Sequence, residues 1–372
     1  MKDMNFMSNR LPNNRRLWIF LLIAGFILES CLLAVAVGIF LANREGQFPP
    51  ANRTPVAGEL ETRLPGETPA PDETRAPGET PLPGDSPDPT DLPEPPTEVP
   101  DEPAWETPPP GKIVYVCFDG RFDQICLMNA DGSGQRQLTD TEATDFYPSL
   151  SPDGRQIVFS SRRDGNFEIF IMDIDGRNVV QLTNDIGNLY APEISPKGNR
   201  IVFTAEGGSR QAIWVMKLDG GNPRPLTSSA GTDIDPSWSP DGNRIAFASA
   251  RDGLTQLYVM EADGSKVRPV MNKALKVGGR NAWSPNGEWL AFYAGPQGNR
   301  DIYIVSADGR DVRQLTSGGD NLGPSFSPDG EWITLTSYRS GNNDIYVMRT
   351  DGSQVTRLTN SLRSDWQPRW GP

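Results

Sequence analysis

The chain has 372 residues, a formal net charge of −13, three cysteines and no histidine. The missing imidazole removes Ser-His-Asp and Cys-His catalysis together with the commonest metal ligand. An acidic chain without clustered Lys and Arg also offers no nucleic-acid surface.

Residues 17–41 are an apolar stretch interrupted by Glu29 and Ser30. At 1.5 Å per residue it is long enough to cross about 30 Å of hydrocarbon. Lys2, Arg10, Arg15 and Arg16 precede it and an acidic segment follows, so the positive-inside bias leaves residues 1–16 in the cytoplasm and everything after the span outside. We read an uncleaved signal anchor in the cytoplasmic membrane. Two alternatives stay open: secretion after cleavage near Ala34-Val35-Ala36, and lipidation at Cys31, against which Glu29 stands where a small residue is wanted. Glu29 itself, a lone carboxyl in the span with no visible partner, is read as protonated or paired between helices.

Residues 42–111 form a stalk. From 45 to 111 the chain holds 19 of its 35 prolines and degenerate Pro-Gly-Glu/Asp repeats around Pro65, Pro77 and Pro83. Such a segment cannot bury a core, and it is expected to be extended, with polyproline II character. Thr68-Pro69 and Thr80-Pro81 suit O-linked sugar as well as plain linker. The segment 45–111 has 15 acidic and 3 basic residues and the segment 1–44 has five basic and two acidic, which leaves the remainder at −4 of the −13 total.

From residue 112 a phrase recurs six times, an Asp-Gly turn followed almost always by Leu-Thr. The turn glycines are Gly132, Gly176, Gly220, Gly264, Gly309 and Gly352, spaced by 44, 44, 44, 45 and 43 residues. A unit this small cannot bury its apolar faces alone, so the repeats must stack. The second repeat reads as four short strands: one ending at the Pro152-Asp153-Gly154 turn, then Ile157-Val158-Phe159, then Ile169 to Met172, then Val179 to Thr183. Runs such as Ile201-Val202-Phe203 are apolar on both faces, as expected for small sheets covered on both sides. Residues 112–116 match the second strand of a unit, whereas Trp366, Pro368, Arg369 and Trp370 match a first strand. The expectation is an all-β, six-bladed propeller of four-stranded blades over residues 112–372, closed by the C-terminal strand and monomeric.

The recurring pieces, nearly whole from Pro236 to Gly264, resemble the WD40-like repeat of TolB-type six-bladed propellers. The likeness covers about the last 70% of the chain. It implies envelope scaffolding and peptide capture at the channel mouth. A proline-rich stalk and anchor stand here in place of the small α/β domain that precedes the propeller in that family. Some peptidases carry such a propeller beside a hydrolase domain, but no second domain is expected after Pro372 and no G-x-S-x-G elbow is present. The Asp-x-Asp-Gly string at Asp173 to Gly176 lacks the rest of a calcium loop, and the sister repeats replace Asp173, so it is read as a hairpin turn. No cofactor and no metal are expected.

Every repeat keeps twelve residues between its second and third strands, from Ile113 to Ile125 or Ile157 to Ile169. With a two-residue turn at Arg121-Phe122, Cys117 would face Cys126. The same positions elsewhere pair a small residue with an aromatic, as in Ser161 with Phe170 and Ser249 with Tyr258. Directly opposed Cβ atoms lie about 4.5–5.5 Å apart, so a Cys117–Cys126 disulfide is expected, with two free buried thiols as the alternative.

Candidate binding residues come from the loops around one channel mouth: Asp145, Asn188, Asp233, Asp320 and Asp365, with Arg162, Arg251 and Arg339. The competing reading is that these aspartates bond local backbone amides. The loop after the fourth Asp-Gly turn departs most from the consensus, and Lys273, Lys276 and Arg280 there are candidates for holding an acidic or peptide partner. The functional expectation is a non-catalytic protein or peptide binding module in the cell envelope. Its rivals are glycan or small-ligand recognition by the loop face, and a hydrolase or lyase that uses carboxylates alone.

Overall fold

The computed structural model describes residues 109–372, apart from 209 and 229. The expected span at 17–41, with Glu29 and Cys31, and the stalk up to residue 108 lie outside the described residues.

The strands form six four-stranded antiparallel sheets, the blades of a propeller. In blade 2 they run from the centre outward as Asp145–Leu150, Gln156–Asp164, Asn166–Asp173 and Val180–Gln181. Blades 3 to 6 follow in chain order, with inner strands Asn188–Ile194, Asp233–Trp238, Val277–Trp283 and Asn321–Phe326. Blade 1 is composite. Its inner strand is the C-terminal Asp365–Gly371, paired antiparallel with Lys112–Phe118, which is followed by Asp123–Asn129 and Arg136–Gln137. Both ends of the repeat region therefore share one sheet.

The core lies in the seams between blades. Phe159, Phe203, Phe247 and Phe292 occupy one position in successive second strands and are fully buried. Ile113, Tyr115 and Met128 of blade 1 pack with Trp332, Ile345 and Val347 of blade 6, which makes the closing seam as apolar as the others.

The two signature pieces of the repeat meet across these seams. A Cβ on Gly176 would lie 2.9 Å from the carbonyl oxygen of Leu138, one on Gly220 2.2 Å from that of Leu182, and one on Gly264 2.7 Å from that of Leu226. Each Asp-Gly turn thus presses on the Leu-Thr of the preceding blade, and Gly132 does so on Leu358 across the closure. The threonine has its own duty. The Oγ1 of Thr139, Thr183, Thr227, Thr316 and Thr359 each accepts a backbone N–H of the third strand at 2.9–3.0 Å. Met271 stands in its place in blade 4.

The hairpin register differs from the sequence expectation by two residues. Cys117 faces Gln124 and Cys126 faces Tyr115, and Phe118 with Asp123 is the last pair. The loop therefore has four residues, not two. Asp119 stabilises it by accepting the N–H groups of Arg121 and Phe122 at 2.6 and 2.7 Å. The same shift sets Phe159 opposite Phe170 and Phe247 opposite Tyr258, so aromatics face aromatics. Because strand side chains alternate with period two, the shift keeps Cys117 and Cys126 on one face. A disulfide joins them diagonally, with Cα atoms 5.8 Å apart.

Candidate functional site: the two mouths of the channel

All six inner strands run in the same sense along the channel. Their starts surround one mouth, called the upper mouth, and their ends surround the other, the lower mouth.

At the upper mouth most of the expected binding residues are engaged within their own blades. Asp145 and Asp233 are 0% exposed. Asp145 pairs with Arg163 at 3.3 Å, whose Nε donates to Ser161 Oγ at 2.8 Å while the guanidinium lies 4.5 Å from the Phe170 ring centroid. Asp233, Arg251, Ser249 and Tyr258 repeat this clamp in blade 4. Blade 6 builds it from Asn321, Arg339, Ser337 and Tyr346. The clamp arginine of blade 2 is thus Arg163, not Arg162, which bonds the Gly165 carbonyl. Asp320 lies one residue before the clamp position and bonds Arg300, with Nε to Oδ1 at 2.7 Å. Burial raises the Asp320 carboxyl, but the bonds from Arg300 outweigh it and hold the group below its ordinary range. Asn188 accepts the Phe167 N–H and donates to Glu206.

Blade 1 has Cys117 at the serine position, Asp119 at the arginine position and Cys126 at the aromatic position, so the disulfide stands in for the clamp. Asp365 is left without an ion pair among the described residues. Burial pushes its carboxyl up to about 6, against hydrogen bonds from Ser361 and Thr359 and with Asp344 adding to the rise.

Lys273 and Lys276 are exposed on the upper side. Arg280 is not with them. It lies inside the channel, 4% exposed. In blade 4 two residues of the inner strand oppose one on its neighbour, whereas in blade 5 the three residues Gly278–Arg280 oppose Tyr293. The extra residue fits because Gly278 and Gly279 lack side chains. A Cβ on Gly278 would meet the Tyr293 ring and one on Gly279 would meet Asp235 Oδ2.

Within the channel Arg280 donates to the Pro148 carbonyl of blade 2 at 3.3 Å and stacks 5.2 Å from the Tyr147 ring centroid. Burial, then neighbouring Arg369, push the Arg280 guanidinium down to about 9, against Asp235, Tyr147 and Glu193, so it stays charged at neutral pH. Arg369 donates to the Asn281 carbonyl at 2.9 Å and lies 3.7 Å from Glu193. Burial pushes the carboxyls of Glu193 and Asp235 up.

Above this charged floor the lower mouth opens as a cavity of about 290 Å³. Trp238, Trp283, Phe326 and Trp370 line it with Pro240, Pro285 and Pro328, and Glu193 and Arg369 form part of its base. The rim comes from the Ser-Pro-Asp-Gly turns, held by bonds such as Ser151 Oγ to Asp153 at 2.6 Å. The expected site residues did not include Glu193 and Arg369, yet both have a signal in the sequence. At the residue two before the Ser-Pro turn the repeats carry Ser149, Ser237, Ala282 and Ser325, and only Glu193 and Arg369 depart to charge.

A family profile, the TolB beta propeller domain (PD40), matches residues 181–281 and 270–372, more than half of the chain. The chain belongs to the TolB β-propeller domain family. Among solved structures it is similar to TolB from Acinetobacter baumannii, with a TM-score of 0.65 and 25% identity over 70% of this chain and 67% of that one. Two curated relatives match short pieces. A protein TolB homolog of Chlorobium luteolum is 36% identical over 70 residues, which is 18% of this chain. A dipeptidyl-peptidase 5 of Porphyromonas gingivalis is 37% identical over 46 residues, 12% of this chain. The matches span only 15% and 7% of those relatives' lengths. The TolB-type fold thus rests on the whole propeller, while the peptidase likeness is confined to about one repeat.

Proposed function

We propose that the chain is a membrane-anchored, extracytoplasmic binding module, without catalysis of its own, that takes a protein or peptide partner at the lower mouth of its propeller. The observation that carries this is the lower mouth itself, a cavity of about 290 Å³ walled by Trp238, Trp283, Phe326 and Trp370 over a charged base. Large aromatics around a concave, partly polar pocket are what anchors a peptide side chain or turn. Membership of the TolB family supports a protein partner in the envelope. The apolar run at 17–41 and the basic residues before it support the anchor and the topology.

The test is recovery of a crosslinked partner from intact cells. Pro240→Glu with Pro328→Glu, both on the exposed rim, should reduce recovery, while Lys273→Glu with Lys276→Glu should leave it unchanged. The reverse result would move the site to the upper mouth. Protease added to intact cells should digest the propeller, and protection would refute the topology.

A further inference from the structure

Among the described residues, five buried nitrogens in the channel or in the seams that open onto it have no hydrogen-bond partner: Trp238 Nε1, Trp283 Nε1, Arg369 Nε, and Arg280 Nε and Nη1. All five are N–H donors. Arg369 lines the lower mouth, and Arg280 lies farther in along the channel, since Arg369 holds the carbonyl of Asn281, the next residue, and Arg280 holds that of Pro148, beside the mouth residue Ser149. Trp238 and Trp283 also line the mouth, but their rings pack in the seams on either side of blade 4. Leaving a buried donor unmet costs about 1–3 kcal/mol, more when the group is charged. Arg280 has no ion pair among the described residues, and the Arg369–Glu193 pair is long at 3.7 Å.

We infer that the base of the lower mouth is an oxyanion site built to take a carboxylate. A carboxylate brings several lone pairs and no donor, which matches the unmet N–H groups of Arg369 and Arg280, and its two oxygens fit the planar fork of a guanidinium. It enters through the mouth, meets the Arg369 Nε and draws Arg280 into an ion pair. Glu193 competes for Arg369, so binding exchanges a long internal pair for a close external one. The two arginines come from blades 1 and 5, and neither belongs to the repeat consensus: Arg369 stands where blades 2, 4 and 6 have serine, and Arg280 enters with the extra residue of blade 5. The carboxylate comes either from a small free acid or from the chain end or acidic side chain of a peptide. Only the second source rests on the function proposed above.

Thermal unfolding of the full chain tests this. The probes are sodium acetate and the tripeptide acetyl-Gly-Gly-Gly as its free acid and as its amide, at constant ionic strength against sodium chloride. A ligand at about 100 times its Kd favours the folded state about hundredfold, a rise of about 5–10 °C in Tm for a domain of this size. The free acid should raise Tm and the amide should not. A rise with acetate but with neither peptide keeps the oxyanion site and removes the peptide reading. Arg280→Lys keeps the charge but loses the fork, and Arg369→Gln loses both, so each should weaken the response at least about tenfold in concentration. Their Tm in chloride reports whether they fold. No carboxylate-specific rise in the unmodified chain would mean that water serves these donors, and it would overturn the inference, as would an unchanged response in both variants.

Discussion

Replacing Asp365 by Asn should stabilise this protein, and only above a definite pH. Asp365 occupies the position that Asp145 and Asp233 fill in blades 2 and 4, but the arginine that pairs with them is absent from blade 1, where Cys117, Cys126 and Asp119 have replaced the clamp. Its carboxyl titrates at about 6 instead of 3.8. Below 3.8 it is protonated in both the folded and unfolded chains and contributes nothing. Between 3.8 and about 6 the folded chain holds more protons than the unfolded one, so stability falls as pH rises, and above 6 the whole penalty is present. Raising a carboxyl from 3.8 to about 6 costs the folded state about 3 kcal/mol, or about 5–10 °C in Tm. Asp365→Asn removes the ionisable group and keeps an acceptor for Ser361. Melts of the two proteins should coincide near pH 3.5 and separate by that amount at pH 7.5. Asp145→Asn should act in the opposite sense, because it takes the charge partner from Arg163. A gain for Asp365→Asn that is equal at both pH values, or no gain at pH 7.5, would show that the Asp365 carboxylate carries no burial penalty.

Three other changes have defined outcomes. Replacing Cys117 and Cys126 together by alanine should cost about 2–3 kcal/mol through the short loop the bond closes; peptide mass mapping without reductant should find the two joined, and two free thiols would contradict the pairing. Gly309→Ala should cost at least about 2 kcal/mol in denaturant melts, because φ is +78° and its Cβ would meet the Val270 carbonyl oxygen, whereas Gly253→Ala, with φ of +96° and nothing within 4 Å, should cost about 1 kcal/mol from the left-handed backbone alone. Arg163→Met should destabilise by about 3 kcal/mol, since it strips the ion pair from the buried Asp145; a loss below about 0.5 kcal/mol would show that the clamp contributes little.

The repeat made the propeller legible because its signals are local and sixfold. Asp-Gly turns, Leu-Thr ends and doubly apolar strands each answer a local need, and the chain ends supplied complementary pieces of one blade. The candidate site was less legible for two physical reasons. A register shift of two residues leaves the face of every side chain unchanged, so the alternation that marks buried strands could not separate a two-residue from a four-residue hairpin. An aspartate that starts an inner strand looks the same whether it waits for a ligand or ties down a neighbouring arginine, and the Arg162–Arg163 pair gives no local sign of which residue closes the clamp. Arg280 was noticed as a departure, yet its burial depended on the Gly278-Gly279 bulge against Tyr293 and Asp235, which only the packed blades reveal. Glu193 and Arg369 needed the six copies to be compared position by position.

A partner that enters the lower mouth must touch its rim, so contact there is the decisive readout. A photoreactive benzoylphenylalanine placed at Pro240 or at Pro285 in the full chain, and separately at Lys273, should be activated in intact cells. The expected result is a discrete crosslinked partner from positions 240 and 285 and none from 273, with the adduct lost in Arg369→Gln. An adduct from 273 alone would contradict it.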